Sequence, residues 1–316
     1  MRIGIIGKGN IGSELYRKAK SMKWDIKYIL DIDGFYKNLT EKISPPKDYK
    51  NLDVAFLAIP TFDDGFVEFN HMQSFLKKGI PVVTSAKGAL SNYFPELKDY
   101  LDKIGYSATV GGGTRMLRYL EKKMNPDTTE IHAIVNGTLN YIFYWISKGK
   151  KLEEIAENAR KLGYAEPGAK SAFDIIKTES EKDVPMKSSI LFNISRISPE
   201  ILRAKDIVVN KMNEADLEKL IKEAKNRRYI VSITKEEKKE DIIDGFNHKI
   251  GDWFISAGFK NIAKNTLYER LVIDEVNNSL LICENKKIYQ KKPGPGAGAK
   301  PTTASMIKDA INLISK

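Results

Sequence analysis

The sequence predicts an α/β protein: a doubly wound parallel sheet of Rossmann type, followed by a mixed α+β domain. Three observations carry this expectation. A short apolar strand, Arg2 to Ile6, runs directly into Gly7-Lys-Gly9-Asn10-Ile11-Gly12 and then into the helical SELYRKAKSM. Further apolar segments then alternate with helical ones as far as about residue 110, the pattern of a parallel sheet with crossovers. After Met124 the alternation gives way to clustered helices and late strand patterns.

The opening strand, glycine turn and helix form a G-x-G-x-x-G fingerprint in its proper context. Gly7 permits the tight turn, Gly9 lets the backbone approach a pyrophosphate, and Gly12 lets helix and strand pack closely. The phosphates would then lie at the helix N-terminus, over Asn10 and Ile11. The next strand, Asp25 to Leu30, ends in Asp31. An acid there accepts hydrogen bonds from the adenosine ribose and repels a 2′-phosphate, which favours NAD over NADP. Asp33 competes for the role, and Lys37 would soften the exclusion.

Asn51 to Pro60 reads as a strand ending at the cofactor edge, with Pro60 at its rim. A helix from about Phe66 to Lys78 leads to the strand Ile80 to Thr84 and then Ser85-Ala86-Lys87-Gly88. Lys87 is thereby expected at a carboxyl strand end, where ligands bind in open α/β sheets. Phe94 to Ile104 reads as helix and Tyr106 to Val110 as strand, running into Gly111-Gly112-Gly113.

In the second half, Thr129 to Val135 reads as a strand that turns through Asn136-Gly137-Thr138 into the aromatic helix IFYWISK. Such a turn offers backbone N–H groups and a hydroxyl to a carboxylate, or is an ordinary N-cap. Helices are expected at 151–162, 184–196 and 214–226. Strands are expected at Tyr229–Thr234 and in a pair, Tyr268–Val276 and Ser279–Glu284, around an Asn-Asn turn. The stretch Gly163 to Lys187 gathers Glu166, Asp174, Asp183 and Lys187 in a loop-to-helix passage. Asp183 and Lys187 are spaced i,i+4 and share a helix face, and Pro185 puts Asp183 near the helix start. Gly294-Pro295-Gly296-Ala297-Gly298 is too glycine-rich for regular structure and lets backbone lie close to a ligand. Pro301 to Ile314 is a terminal amphipathic helix expected to return to the first domain.

Composition narrows the function classes. The 316 residues are 42% hydrophobic, enough for a sizeable core and two domains. The net charge of +11 comes from lysines interleaved with glutamates, as in LEKLIKEAKNRR, and no zinc-finger or RNP-like run accompanies it. Nucleic acid is therefore not an expected partner, and the excess charge suits an anionic cofactor or substrate. The lone Cys283 fits a reducing cytoplasm. No apolar run reaches membrane-span length, and Met1 leads straight into the first strand, without a signal peptide.

Taken together, GKGNIG, TSAKG, NGTLNYI, GYAEP with DVPMKSSIL, and GPGAGAKPTTAS resemble, in order, the segments of homoserine dehydrogenases. The resemblance extends over most of the chain. It implies a dinucleotide-binding domain, 1–124 completed by a closing helix 298–316, and a catalytic and dimerisation domain, 125–297. It implies NAD(P)-dependent interconversion of L-homoserine and L-aspartate 4-semialdehyde, in threonine and methionine biosynthesis, by a cytoplasmic homodimer. Lys187 and Lys87 match the family's active-site lysines. Asp183 and Asp174 match acids that hold the substrate and orient the lysine, and Glu166 would meet the substrate ammonium. Thr138 and Tyr164 fall in the substrate-carboxylate region. Gly296 and Ala297 join Gly7, Gly9, Asn10, Ile11, Gly12, Asp31, Pro60 and Lys87 at the cofactor.

The chain departs from the family pattern in places. EPGAKSAFDIIKTESEKD lacks the family's second DP and carries extra residues between the acids, so Glu179 or Glu181 are alternatives to Asp174. Ala86 replaces an asparagine before Lys87. Ser107 replaces an acid that helps hold a monovalent cation in the family, which leaves main-chain carbonyls near Val110 and Gly112 as weak ligands; no metal ligands are assigned. A regulatory ACT domain is not expected. Two other readings remain: a related dehydrogenase of another hydroxy or amino acid, and a catalytically silent dinucleotide-binding sensor.

Overall fold

The computed structural model describes residues 1–316 apart from 63, 165–168, 170, 239, 264–265, 286 and 316. It separates into two compact units, Met1–Gly113 with Ala299–Lys316, and Thr114–Gly298.

Among the described residues, the first unit holds β1 (Arg2–Ile6), β2 (Asp25–Asp31), β3 (Gly34–Tyr36), β4 (Lys42–Ile43), β5 (Val54–Leu57), β6 (Val82–Thr84) and β7 (Ile104–Gly105). They form one sheet in the order β4-β3-β2-β1-β5-β6-β7. β1 pairs parallel with both β2 and β5, and β5, β6 and β7 continue parallel. The central strands β1, β5 and β6 are almost entirely apolar because helices cover both faces, whereas β2, nearer the edge, carries Asp25, Lys27 and Asp31. Ile3, Ile5, Val54, Phe56 and Val83 are fully buried with Leu15 and Ala19 of the helix Asn10–Ser21 and Met306 and Ala310 of the helix Ala299–Ile314.

Two expectations for this unit change. The segment after β2 is an antiparallel edge made by β3 and β4, which the sequence reading did not assign. The last strand is only Ile104–Gly105, and Tyr106 to Val110 fold into turns. These turns keep their buried side chains because Asp309, wholly buried on the terminal helix, anchors them. It accepts from the Ser107 N–H at 2.8 Å and the Ser107 hydroxyl at 2.7 Å.

The second unit holds β8 (Thr128–Ile134), β9 (Arg227–Thr234), β10 (Ile242–Ile250), β11 (Trp253–Asn261), β12 (Asn277–Glu284) and β13 (Ile288–Pro295). They form an antiparallel sheet in the order β10-β11-β9-β8-β12-β13. The β10–β11 hairpin was not expected from the sequence. The expected pair around the Asn-Asn turn is also corrected: 266–271 is a helix, Asn277 and Asn278 lie inside β12, and its partner is β13. β13 carries the glycine-rich run as far as Pro295, so part of that run is regular strand. As an edge strand, it tolerates proline and glycine without losing a ladder on its outer side.

One face of this sheet carries a buried polar chain. Lys260 Nζ bonds Glu240 at 2.5 Å and the Ser232 hydroxyl at 2.8 Å; Ser232 meets His132 Nδ1 at 2.8 Å; His132 Nε2 meets Glu130 at 2.7 Å; Lys238 closes on Glu130 at 2.6 Å. Burial keeps His132 neutral by lowering its pKa and brings Lys260 down to about 8, while its bond to His132 and then Lys238 hold Glu130 at about 2.

Candidate functional site

In the first unit, the glycine turn shows what each glycine is for. Gly7 has φ 101°, and a side chain on it would meet the Ala58 carbonyl oxygen at 2.3 Å. A Cβ on Gly12 would lie 1.9 Å from the Gly7 carbonyl oxygen, so only glycine closes helix onto turn. Gly9, by contrast, faces open space, with nothing within 4 Å of its added Cβ. Gly9 also precedes the helix Asn10–Ser21 without a side-chain cap. The tight positions are thus structural, and the open one is where a pyrophosphate can approach the backbone. The residues fit a dinucleotide.

Asp31 ends β2, and its Oδ1 accepts from the Ile32 N–H at 2.9 Å. Asp33 is committed differently: the Tyr36 hydroxyl donates to it and Lys42 pairs with it at 3.0 Å, which holds its pKa near 2. Lys37 lies 3.7 Å from Glu41. Lys8, inside the glycine turn, sits 3.5 Å above the Tyr36 ring. Pro60 is exposed just beyond β5.

Lys87 follows β6 and precedes the short helix Gly88–Asn92, with its N–H on the Thr61 hydroxyl at 3.3 Å. The turn is fixed by a residue that the sequence reading passed over. Glu68 is fully buried and accepts from the Phe62 N–H at 2.9 Å, and Gly65 packs so closely that its Cβ would lie 2.1 Å from the Gly88 carbonyl oxygen.

In the second unit, the acids and Lys187 lie on one unbroken helical run. Ala172–Thr178 passes through a π-helical turn, Glu179–Asp183, into Val184–Ser195. Asp183 is therefore in the helix interior and not near its start. The wider turn shifts the hydrogen-bond register just where Pro185, lacking an N–H, would interrupt an α ladder. Lys187 Nζ lies 2.6 Å from Asp183 Oδ2, and both side chains are about a tenth exposed (11% and 10%).

Asn136 closes the arrangement. Its side-chain oxygen caps the helix Gly137–Ser147 through the Leu139 N–H at 2.7 Å. Its amide nitrogen donates to Glu179 at 2.5 Å and to Asp183 at 2.7 Å. The cap fixes which way the amide points. Two buried carboxylates, a buried amide and a buried lysine thus form one cluster. A positively charged donor held by an acid, with further acids beside it, suits a substrate carrying an oxyanion at one end and an ammonium at the other.

A sequence model of homoserine dehydrogenases matches residues 116–311, well over half of the chain. The chain belongs to the homoserine dehydrogenase family of NAD(P)-dependent oxidoreductases. It is 25% identical to the homoserine dehydrogenase of Pyrococcus horikoshii over 250 residues, 76% of this chain and 66% of that protein. It is 23% identical to that of Schizosaccharomyces pombe, covering 100% of this chain and 96% of that protein. With the Sulfurisphaera tokodaii enzyme the match spans 51% of the relative's length. In fold, the homoserine dehydrogenase of Thermoplasma acidophilum superimposes with a TM-score of 0.75 at 18% identity, over 100% of this chain and 99% of that one. A hyperthermophilic archaeal homoserine dehydrogenase in complex with NADPH gives 0.68 at 21% identity, over 99% and 97%.

Within that family frame, the other expected substrate residues are placed unevenly. The Thr138 hydroxyl donates to the Tyr164 carbonyl at 2.7 Å, and the Tyr164 ring packs edge-on against Tyr141 at 5.3 Å. Asp174 is the third residue of the helix Ala172–Thr178 and forms a capping box with Ser171, at 2.9 and 3.0 Å. The acid that joins Asp183 on Asn136 is Glu179. Glu181 belongs to the same π turn but is not part of that pair. Glu166 lies outside the described residues.

Gly296 donates its N–H to the Val276 carbonyl at 2.9 Å, and its added Cβ would lie 2.1 Å from Asn278 Oδ1. The close approach that requires glycine here is to Asn278, which sequence spacing does not reveal. Ala297 lies in the bend that follows. As for the main-chain cation ligands, the Gly112 carbonyl accepts the Ser305 hydroxyl at 2.8 Å, and Ser107 is taken up by Asp309. Among the described residues no helix is long and apolar enough to cross a membrane.

Proposed function

We propose that this protein interconverts L-homoserine and L-aspartate 4-semialdehyde with NAD(P), and that the cluster on Asn136 handles the substrate. The observation that carries the reading is the buried Lys187–Asp183 pair, braced by an amide that is itself fixed as a helix cap. A lysine has three N–H donors, and Asp183 engages one, so the ammonium is aimed by a partner that cannot rotate away. When bound, the nicotinamide supplies hydride exchange with the alcohol carbon. Lys187 gives a proton to the carbonyl oxygen in reduction and removes it in oxidation. Asp183 holds Lys187 in place, and Glu179 is the nearby acid that helps hold the substrate and orient the lysine, the role the family pattern suggests for Asp174. The first turn of the helix Gly137–Ser147, with Thr138 and Tyr164, is proposed for the substrate carboxylate, with Glu166 a further ammonium ligand.

For the cofactor, we propose Gly9, Asn10 and Ile11 at the pyrophosphate, Asp31 at the ribose, and Pro60, Lys87, Gly296 and Ala297 along the remainder. Asp31 supports a lean towards NAD, since Asp33 is already held by Tyr36 and Lys42. Lys87 assists at the reacting oxygen. A homodimer in the cytoplasm is proposed on the resemblance and on the lone Cys283.

The test is NAD(P)H formation by the purified chain with L-homoserine at alkaline pH, using each cofactor in turn. A clear rate supports the reaction and ranks the cofactors. No rate, with NAD binding measured separately, would overturn it and point to another hydroxy or amino acid.

A further inference from the structure

Two backbone irregularities in the second unit face each other behind the π turn. In β10 the ladder with β11 slips between Ile243 and Phe246, so that Asp244 and Gly245 stand opposite Gly258. Asp244 adopts φ 57° and Gly245 φ 106°. A side chain on Gly245 would meet the Ala257 carbonyl oxygen at 1.9 Å, and one on Gly258 would meet the Asp244 carbonyl oxygen at 2.2 Å. Two glycines thus maintain a bulge whose effect is to turn Asp244 inward, as bulges do where a side chain must be re-aimed.

What Asp244 meets there is unsatisfied oxygen. Neither of its carboxylate oxygens has a hydrogen-bond partner, and the same is true of Glu181 Oε1 and of the Tyr229 hydroxyl, all shielded from solvent. Tyr229 is only 5% exposed, and it pairs with Phe259 of β11, which pairs in turn with Ile243 at the edge of the bulge, so it stands level with Asp244 across the sheet. Ser180 and the Gly245 N–H lie near Asp244 and partly favour its charge without closing a bond of good geometry. The charges bearing most on Asp244 are Glu181 and Asp216, both acidic. A desolvated carboxylate among acidic neighbours, as Asp244 is, is costly, and water supplies hydrogen bonds but no charge. The donor set is carboxylate, phenol and hydroxyl oxygen, with neither nitrogen nor sulfur, which selects a hard cation.

We propose that Asp244, Glu181, Ser180 and Tyr229 form a binding site for a small hard cation, held between the β10 bulge and the π turn. The site is separate from the carbonyls near Val110 and Gly112, which belong to the other unit. It would tie the cation to the turn that also carries Glu179 and Asp183, so occupancy would steady the acids beneath Asn136. The proposal rests on the oxygen cluster and not on the reaction proposed above.

The experiment is thermal melting of the full chain at pH 8 and fixed ionic strength. Tetramethylammonium chloride, whose cation is too large, is the reference against sodium, potassium, magnesium and calcium chlorides. One small cation is expected to raise Tm saturably by several degrees. The shift should vanish in Asp244→Asn, weaken in Tyr229→Phe, and vanish in Glu181→Gln should Asp244→Asn fail to fold. A crystal soaked in rubidium or thallium salt, for a monovalent ion, should show anomalous density beside Asp244. Equal Tm in all salts would overturn the proposal. A cation shift that survives both carboxylate substitutions would overturn it by placing the ion elsewhere. Because the readout is melting, failure to turn over homoserine would leave this site untouched.

Discussion

Lys187 Nζ sits 2.6 Å from Asp183 Oδ2, with each side chain about a tenth exposed (11% and 10%). A pair at i,i+4 on a solvated helix is worth a few tenths of a kcal/mol, but this one is shut away from water, where breaking it leaves a buried charge. Lys187→Ala is expected to lower kcat for homoserine oxidation at least about 100-fold, the scale of a lost general acid–base group. NAD(P) affinity, measured by fluorescence titration, should change less than about 3-fold. Unchanged kcat would remove Lys187 from the proton transfer.

Asn136→Asp keeps the helix-capping oxygen but exchanges two N–H donors for a third carboxylate beside Glu179 and Asp183. The variant should lose roughly 2–4 kcal/mol of stability near neutral pH, the scale of unpaired buried charge. The loss should shrink as pH falls, because crowded carboxylates have raised folded pKa values and bind protons more tightly than the unfolded chain does. Denaturant melts at pH 5 and pH 8 check the sign.

The glycine turn separates folding from binding. Gly9→Ala places a methyl in open space, so Tm should stay within about 2 °C, while NAD(P) binding should weaken about 10-fold or more if the pyrophosphate approaches there. Gly12→Ala forces a Cβ to 1.9 Å from the Gly7 carbonyl oxygen and should damage both stability and binding. Isothermal titration with differential scanning calorimetry distinguishes the two; equal behaviour would contradict the division of roles.

Asp309→Ala removes the carboxylate that accepts from both the Ser107 N–H and hydroxyl in a fully buried setting. A loss of about 2–4 kcal/mol is expected. Hydrogen exchange should show it first in 106–110 and the terminal helix, while β8–β13 remain protected. Uniform loss of protection would argue against the local anchor.

The Glu130 pKa is depressed from 4.5 to about 2, by its bond to His132 foremost and Lys238 next. A depressed carboxylate contributes stability that is present above its unfolded pKa and is lost as pH falls from about 4.5 towards 2. Discounted for its partial exposure, that is about 1–2 kcal/mol. Glu130→Gln should therefore melt lower than the parent at pH 7 and approach it near pH 2.

Local signals placed the glycine turn, β1, β2 and the helix expected at 151–162 close to where the structure has them, because strand, turn and helix there each carry their own period and breakers, whereas the helix expected at 184–196 is the end of a run that begins at Ala172. The β10–β11 hairpin was not legible. Its polar and charged residues, such as Asp244, Asn247 and Lys249, interrupt the alternation on which strand assignment depends. Tyr268 and Leu271 looked like strand residues, being aromatic and apolar, yet they form a short helix whose side chains cover the sheet beside Ile134 and Leu281. Packing overrode propensity there.

The site divides in the same way. Residue types and spacing alone determined that Asp183 and Lys187 share a helix face, that Lys87 lies just beyond a strand end, and that Gly7, Gly9 and Gly12 make the turn between β1 and its helix. Only the tertiary structure decided which acids stand together. Asn136 is 43 residues from Glu179 and 47 from Asp183 in the chain, and it reaches both only because β8 delivers it beneath the π turn. Asp174, close to Asp183 in sequence, is instead used to cap its own helix. Local periodicity reports which face a residue is on, whereas the pairing of buried charges depends on which elements the fold brings together.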